Sequence, residues 1–270
     1  MEVLTPRSLG EALRLKAERP DATPIQGGTD VMVELNFDRA RPAVLLNLNE
    51  VPELRGWSRD NGSVRLGAGL TYTEAMEPPL SELLPALAEA ARTVGGPQIR
   101  NRGTIGGNLG TASPAGDALP PLLIGDAVVE VASLRGERAL PLVEFLTGPK
   151  RNALAEDELI TGARVRADEQ SQTFMKIGPR NAMVISVVSL ALTVDRERDA
   201  VRAAFGSAGP VPGLVTVPFA ERDGLAEKVA AAASPIDDVR GTARYRRHAL
   251  AVLARRCLAW VWGPLDGAPR

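Results

Sequence analysis

Apolar Ala12, Leu13 and Leu15 follow Ser8-Leu9-Gly10-Glu11, the spacing of a capping box, and Pro20 stops them, which predicts a short amphipathic helix. Thr23-Pro24-Ile25-Gln26 then runs into Gly27-Gly28-Thr29-Asp30, after which Val31, Val33 and Leu35 resume an apolar pattern. A strand, a glycine turn and a restart as helix or strand are expected there. Ala43-Val44-Leu45-Leu46-Asn47 and the alternating Val64, Leu66, Ala68 and Leu70 predict strands, with Asn61-Gly62 as a hairpin-type turn between them. From Leu80 onward, Leu83, Leu84, Leu87, Ala91 and Val94 fall three or four apart, the face of one helix ending at Gly95-Gly96-Pro97. Strands are expected at 128–132 and 158–165. The polar stretch 166–172 marks a domain boundary. Beyond it, 184–194 and 201–205 read as paired strands, 229–233 as plain helix, and 242–262 as a helix with Leu250, Leu253, Cys257 and Val261 on one face.

Composition narrows the function classes. The chain has 270 residues, 44% of them hydrophobic, with 32 Lys+Arg against 33 Asp+Glu and a net charge of −1. That balance provides no electrostatic footprint for a polyanion, so nucleic acid is not expected as a partner. One Cys and one His cannot build a Cys-rich zinc site, an iron–sulfur cluster or a His-rich metal centre, so metal chemistry would belong to another chain. No apolar run is long enough to span a bilayer, and the first residues show neither a basic nor an apolar leader segment; a cytoplasmic protein is expected. Aromatics make up 4% of the chain while Gly numbers 26 and Pro 21, a composition suited to tight turns and close backbone approaches.

The least generic stretch is 98–117, which carries Gly106-Gly107-Asn108 and shows no helical or strand period along its length. Together with Gly27-Gly28-Thr29-Asp30 it forms a pair of glycine loops. Glycine allows close approach and positive φ, so successive N–H groups can converge on an anion such as a diphosphate. Thr29, Thr104, Asn108 and Ser113 add uncharged polar groups, and Asp117 is a carboxylate able to accept from ribose hydroxyls. Each loop taken singly is also compatible with a plain turn. No Gly-x-Gly-x-x-Gly opens a strand–helix unit, since Gly67-Ala68-Gly69 continues to Tyr72, and P-loop, zincin and nucleophile-elbow motifs are missing. His248, within Arg244-Tyr245-Arg246-Arg247-His248, reads as part of a solvated basic helix face. Cys257 reads as a buried, inert thiol.

Ile25-Gln26-Gly27-Gly28-Thr29-Asp30, with Gln98-Ile99-Arg100-Asn101-x-Gly103-Thr104-Ile105-Gly106-Gly107-Asn108-x-x-x-Ala112-Ser113-Pro114-x-x-Asp117, resembles the FAD-binding subunit of molybdenum hydroxylases. That group includes carbon monoxide dehydrogenase medium subunits and the flavin domain of xanthine dehydrogenase. Phe174-x-Lys176-x-x-x-Arg180 and the tail from Tyr245-Arg246 to Leu258 extend the resemblance along essentially the whole chain. It implies an α+β FAD-binding fold of the vanillyl-alcohol oxidase and p-cresol methylhydroxylase type. Residues 1–167 would be the FAD-binding domain, in subdomains of about 1–55 and 56–167, and 168–270 a carbon-monoxide-dehydrogenase-flavoprotein-like α/β domain with an antiparallel sheet.

The resemblance also implies a cofactor site. Pro24, Ile25, Gln26, Gly27, Gly28, Thr29, Asp30 and Val31 would wrap the FAD pyrophosphate, and Thr104, Ile105, Gly106, Gly107 and Asn108 would form the second wall. Ser113 joins the set, Val94 packs near the cofactor, Asp117 takes the adenosine ribose, Ile160 touches flavin or adenine, and Lys176 reaches the isoalloxazine side. Ser186, in Arg180-Asn181-Ala182-Met183-Val184-Ile185-Ser186, departs from the acid or other polar group many members carry. With His248 and Cys257 in the last helix, non-covalent FAD is expected. No residue of this chain is expected to act on the reducing substrate or to bind metal. Molybdopterin on a large subunit and 2Fe–2S clusters on a small subunit would do so, and this chain would carry electrons onward. A free-standing FAD oxidoreductase with its own substrate, or a redox-inactive scaffold, are the alternatives.

Overall fold

The structure, a computed structural model, describes residues 1–167 and 171–262. The chain opens with β1 (Glu2–Leu4), α1 (Leu9–Glu18), β2 (Thr23–Ile25), α2 (Val31–Asn36) and β3 (Val44–Asn47), which build a three-stranded parallel sheet in the order β1-β3-β2. Ser8 caps α1 by accepting the Glu11 N–H at 3.2 Å. Only half of the capping box forms, because the Glu11 carboxylate accepts from the Arg7 N–H instead. Gly28, at φ +75°, turns the chain out of β2, and the restart at Val31 is helical.

The second unit contains β4 (Trp57–Asp60), β5 (Ser63–Gly67), α3 (Tyr72–Ala75), α4 (Leu80–Leu83), α5 (Pro85–Thr93), α6 (Pro97–Arg100), α7 (Ile105–Thr111), α8 (Leu119–Ile124), β6 (Val128–Ser133), β7 (Gly136–Pro141), α9 (Leu142–Phe145), β8 (Leu146–Gly148), β9 (Arg151–Asn152) and β10 (Leu159–Arg166). Its five-stranded antiparallel sheet runs β4-β5-β10-β6-β7. Asn61 and Gly62 both sit at positive φ, as a hairpin turn of this type requires. The single helix expected from Leu80 is split in two. Pro85 has no N–H to continue the ladder and drives Leu84 out of the helical region, so α4 ends and α5 restarts with proline in its first turn. Val94 caps α5 and lies outside it.

The aperiodic stretch 98–117 holds two helices that its composition conceals. Glycine is a poor helix former, and tertiary bonds compensate at α7. Thr104 caps it, with Oγ1 accepting the Gly107 N–H at 3.0 Å, while the Ile105 and Gly106 N–H groups reach Leu70 O at 2.9 Å and Ala68 O at 2.8 Å. Ile105 and Leu109 are fully buried beneath them.

The remainder forms a four-stranded antiparallel meander, β11 (Ser171–Ile177), β12 (Val188–Asp195), β13 (Ala200–Gly206) and β14 (Gly213–Pro218), followed by α10 (Leu225–Ala232) and α11 (Ala243–Trp262). β12 begins at Val188, four residues after the expected start, because 184–187 is still connection. Both faces of this sheet are covered. Leu190, Leu192, Val201 and Phe205 join a cluster with Leu250, Leu253 and Cys257 of α11, while Ala191 and Ala204 belong to the larger cluster running from Ala12 to Ala167. The first two sheets share that larger cluster, and α5 and α8 carry it against the meander.

Arg246 departs from the solvated face expected for 244–248. It is 1% exposed and donates to Val187 O at 3.1 Å, Ser207 O at 2.6 Å and Asp238 Oδ1 at 2.5 Å, because α11 lays this position on the end of the sheet. His248 is exposed and Cys257 buried, and burial pushes the Cys257 thiol well above its ordinary range.

Candidate functional site

The loop after β2 and the first turn of α7 face each other across a cavity of about 320 Å³, closed on a third side by the start of β10. Close approach holds the walls together. A Cβ on Gly27 would lie 2.2 Å from Arg102 O, and one on Gly106 would lie 2.6 Å from the Ala68 Cβ and 2.7 Å from Ala68 O, so neither position has room for a side chain. Gly107 is different: a Cβ there would meet only Thr104 Oγ1 at 3.1 Å, and its open side faces the cavity.

The two glycine loops present different chemistry. At α7 the Ile105, Gly106 and Gly107 N–H groups are spent on Leu70, Ala68 and Thr104. In the first loop the N–H groups of Gly27, Gly28, Thr29 and Asp30 make no hydrogen bond among the described residues. A row of unpaired amides at a concave surface is a site for an anion. Among the described residues, no Lys or Arg lines this cavity. Its acids are Asp30, whose Oδ2 accepts from the Thr111 hydroxyl at 2.9 Å, and Glu158, whose bidentate hydrogen bonds from Arg138 at 2.7 Å hold its carboxyl below the usual range.

Residues 24–31, Thr104, Gly106, Gly107, Asn108 and Ile160 all line the cavity. Ile105 is a core residue with no exposed surface. Ser113 accepts the Ala115 N–H at 3.3 Å in the turn after α7, outside the lining. Asp117, Lys176 and Val94 lie elsewhere, around the junction with the meander. Lys176 Nζ donates to Asp117 Oδ2 at 2.6 Å and to Thr93 O at 3.2 Å. The pair is buried, with side-chain exposures of 5% and 8%. Burial pushes the Asp117 carboxyl up while the ammonium pulls it down, and burial prevails. Asp117 Oδ1 and Asn108 Oδ1 are both buried without a donor. Ser186 is fully buried, its hydroxyl 2.8 Å from that of Ser207.

Tyr72 is a lining residue that the sequence patterns did not single out. Its ring packs on Gly103, its N–H is held by Gly103 O at 3.1 Å, and burial raises its phenol well above the ordinary value, so it stays a neutral donor. Glu158 and Thr111 also enter the lining. Thr111 was accessible from spacing, one helical turn beyond Gly107, and Glu158 from its place two residues before Ile160 on the other side of the cavity.

The family described as FAD binding domain in molybdopterin dehydrogenase matches residues 1–165. The chain is 30% identical over 272 residues to the xanthine dehydrogenase FAD-binding subunit of Escherichia coli O157:H7, covering 93% of this chain and 92% of that one. It is 37% identical over 204 residues to the nicotinate dehydrogenase FAD-subunit of Eubacterium barkeri, covering 72% and 69%. A solved carbon monoxide dehydrogenase from Hydrogenophaga pseudoflava superposes with a TM-score of 0.89 at 26% identity, covering 97% of each chain. The glycine-walled cavity and the match over 1–165 agree: the chain belongs to the FAD-binding family of the molybdopterin dehydrogenases.

Proposed function

We propose that this chain is the FAD-binding, electron-transferring subunit of a multi-subunit molybdenum hydroxylase. It takes electrons from a 2Fe–2S subunit and passes them to a terminal acceptor, while a molybdopterin-bearing large subunit oxidises the substrate. The observation that carries this reading is the row of unpaired amides at 27–30 opposite α7, inside the segment that the family matches. When bound, FAD supplies a centre that accepts and releases electrons one or two at a time.

The residues present fit that cofactor. The 27–30 amides would hold the pyrophosphate, with Thr29 and Tyr72 as neutral donors beside them. Gly107 leaves the space, and Ile160 supplies an apolar wall. Asn108 Oδ1 and Asp117 Oδ1, buried without donors, would accept from cofactor hydroxyl or N–H groups. Val94 and Lys176 would stand at the far end, where the Lys176 charge is already balanced by Asp117. Ser113 and Ile105 would support α7 from behind. Residues 1–167 would form the FAD domain and 168–270 the second domain. With one Cys and one His in the chain, ligands for molybdenum and iron–sulfur centres would come from the partners.

The test is the absorption spectrum of the purified chain, with release and identification of flavin on heat denaturation. Non-covalent FAD supports the reading, and a chain that takes up no FAD on reconstitution overturns it. Pull-down of the tagged chain from its own cells should then recover molybdenum and iron–sulfur subunits together.

A further inference from the structure

Glu158 is an unexpected wall for a cavity that would hold a diphosphate. Asp30 already lines it, and among the described residues no Lys or Arg does. A second carboxylate there, with a side chain only 5% exposed, would repel an anionic ligand across a space that water screens poorly.

Arg138 answers that charge from outside. It stands on β7, does not belong to the lining, and presents its fork to Glu158, with Nε donating to Oε1 and Nη2 to Oε2, both at 2.7 Å. Two further bonds tie the pair to the segment that leads into β10. Arg138 Nη2 donates to Ala153 O at 2.7 Å, and the Ala155 N–H donates to Glu158 Oε2 at 2.8 Å. Leu154 of that segment, with Leu159 and Ile160 beyond it, lines the cavity, so the pair fixes a wall as well as a charge. Arg135 does not replace Arg138. It comes within 3.9 Å of Glu158 Oε1, but its guanidinium is committed to Asp157 by bonds of 2.8 and 2.7 Å.

We propose, resting on the FAD reading of this cavity, that Arg138 is a positioning residue for the cofactor and acts through Glu158. It holds that carboxylate in place and cancels its charge, so that a wall carrying an acid still accepts a diphosphate.

Flavin fluorescence titration of the full chain with FAD tests it, in the parent and in Arg138→Gln, Glu158→Gln, Arg138→Gln/Glu158→Gln and Arg138→Lys variants. Arg138→Gln uncovers the carboxylate and should weaken FAD about tenfold, a deficit that shrinks as salt is added. Glu158→Gln, the double variant and Arg138→Lys each leave the charge balanced or the acid removed, and should stay within about threefold of the parent. A tie that served the fold alone would be lost in Arg138→Gln and in the double variant alike. Equal losses in those two, or parent affinity in Arg138→Gln, would therefore overturn the proposal. Arg138→Gln strands a buried charge; if it does not fold, the double variant and Arg138→Lys decide, and a tenfold loss in either overturns the proposal. A parent chain that takes up no FAD would remove the cofactor reading and this role together, whereas parent binding with equal affinity in every variant would remove this role alone.

Discussion

Alanine at Gly106 and, separately, at Gly107 should separate a glycine that the fold needs from one that the cleft needs. At Gly106 the new Cβ would sit 2.6 Å from the Ala68 Cβ and 2.7 Å from Ala68 O, both tied to the backbone at the end of β5, so nothing flexible can yield. α7 must back away, at a cost of about 1–3 kcal/mol for overpacking. The move also stretches the Gly106 N–H bond to Ala68 O, worth about 1 kcal/mol. Alanine returns about 1 kcal/mol of helix propensity, so the net loss is about 1–3 kcal/mol. At Gly107 only the Thr104 hydroxyl is met, at 3.1 Å, and the same propensity gain leaves stability within about 1 kcal/mol of the parent. A methyl in the cavity should instead weaken FAD about tenfold, some 1.4 kcal/mol. Urea unfolding followed by tryptophan fluorescence reads the first quantity, and flavin fluorescence titration the second. A Gly106→Ala protein as stable as the parent would refute the close-packing argument; a Gly107→Ala protein with unchanged FAD affinity would take Gly107 out of the site.

Gly28→Val should cost about 1–2 kcal/mol, because a branched side chain is forced to a φ of +75°, and relaxing that φ redirects the neighbouring amides. The purified protein should be colourless, and a yellow, FAD-loaded one would refute the loop assignment. Lys176→Met should lose about 3–5 kcal/mol by stranding the buried Asp117 carboxylate. Adding Asp117→Leu should restore part of that loss, and strictly additive effects in a double-mutant cycle would show the pair to be uncoupled. Hydrogen bonds from Arg240 and Arg246 hold Asp238 below its ordinary range. Its contribution is therefore complete above the unfolded value near pH 4 and is lost as pH falls through the lower folded value. Asp238→Asn should flatten that acid limb in unfolding titrations, and an unchanged limb would refute the linkage. Cys257 should resist a thiol reagent in the native protein and react on unfolding in urea; fast native labelling would contradict its burial.

Features set by neighbouring residues were legible without coordinates. Asn61-Gly62 is the hairpin turn, Ser8 is the cap of α1, and the last helix carries Leu250, Leu253 and Cys257 inward. The first glycine loop was also readable as the turn out of β2, and its amides remain free once β2 and α2 form. Pro85 was visible too, yet the three-to-four spacing of leucines outweighed it and hid the break between α4 and α5. What the chain could not reveal alone depended on contacts made across long separations. α7 is a helix despite its glycines because Ala68 and Leu70 accept its first amides. Arg246 is buried because Val187, just before β12, and Ser207, just after β13, offer carbonyls to it. The ion pair of Asp117 with Lys176, 59 positions away, could not be read from the sequence either.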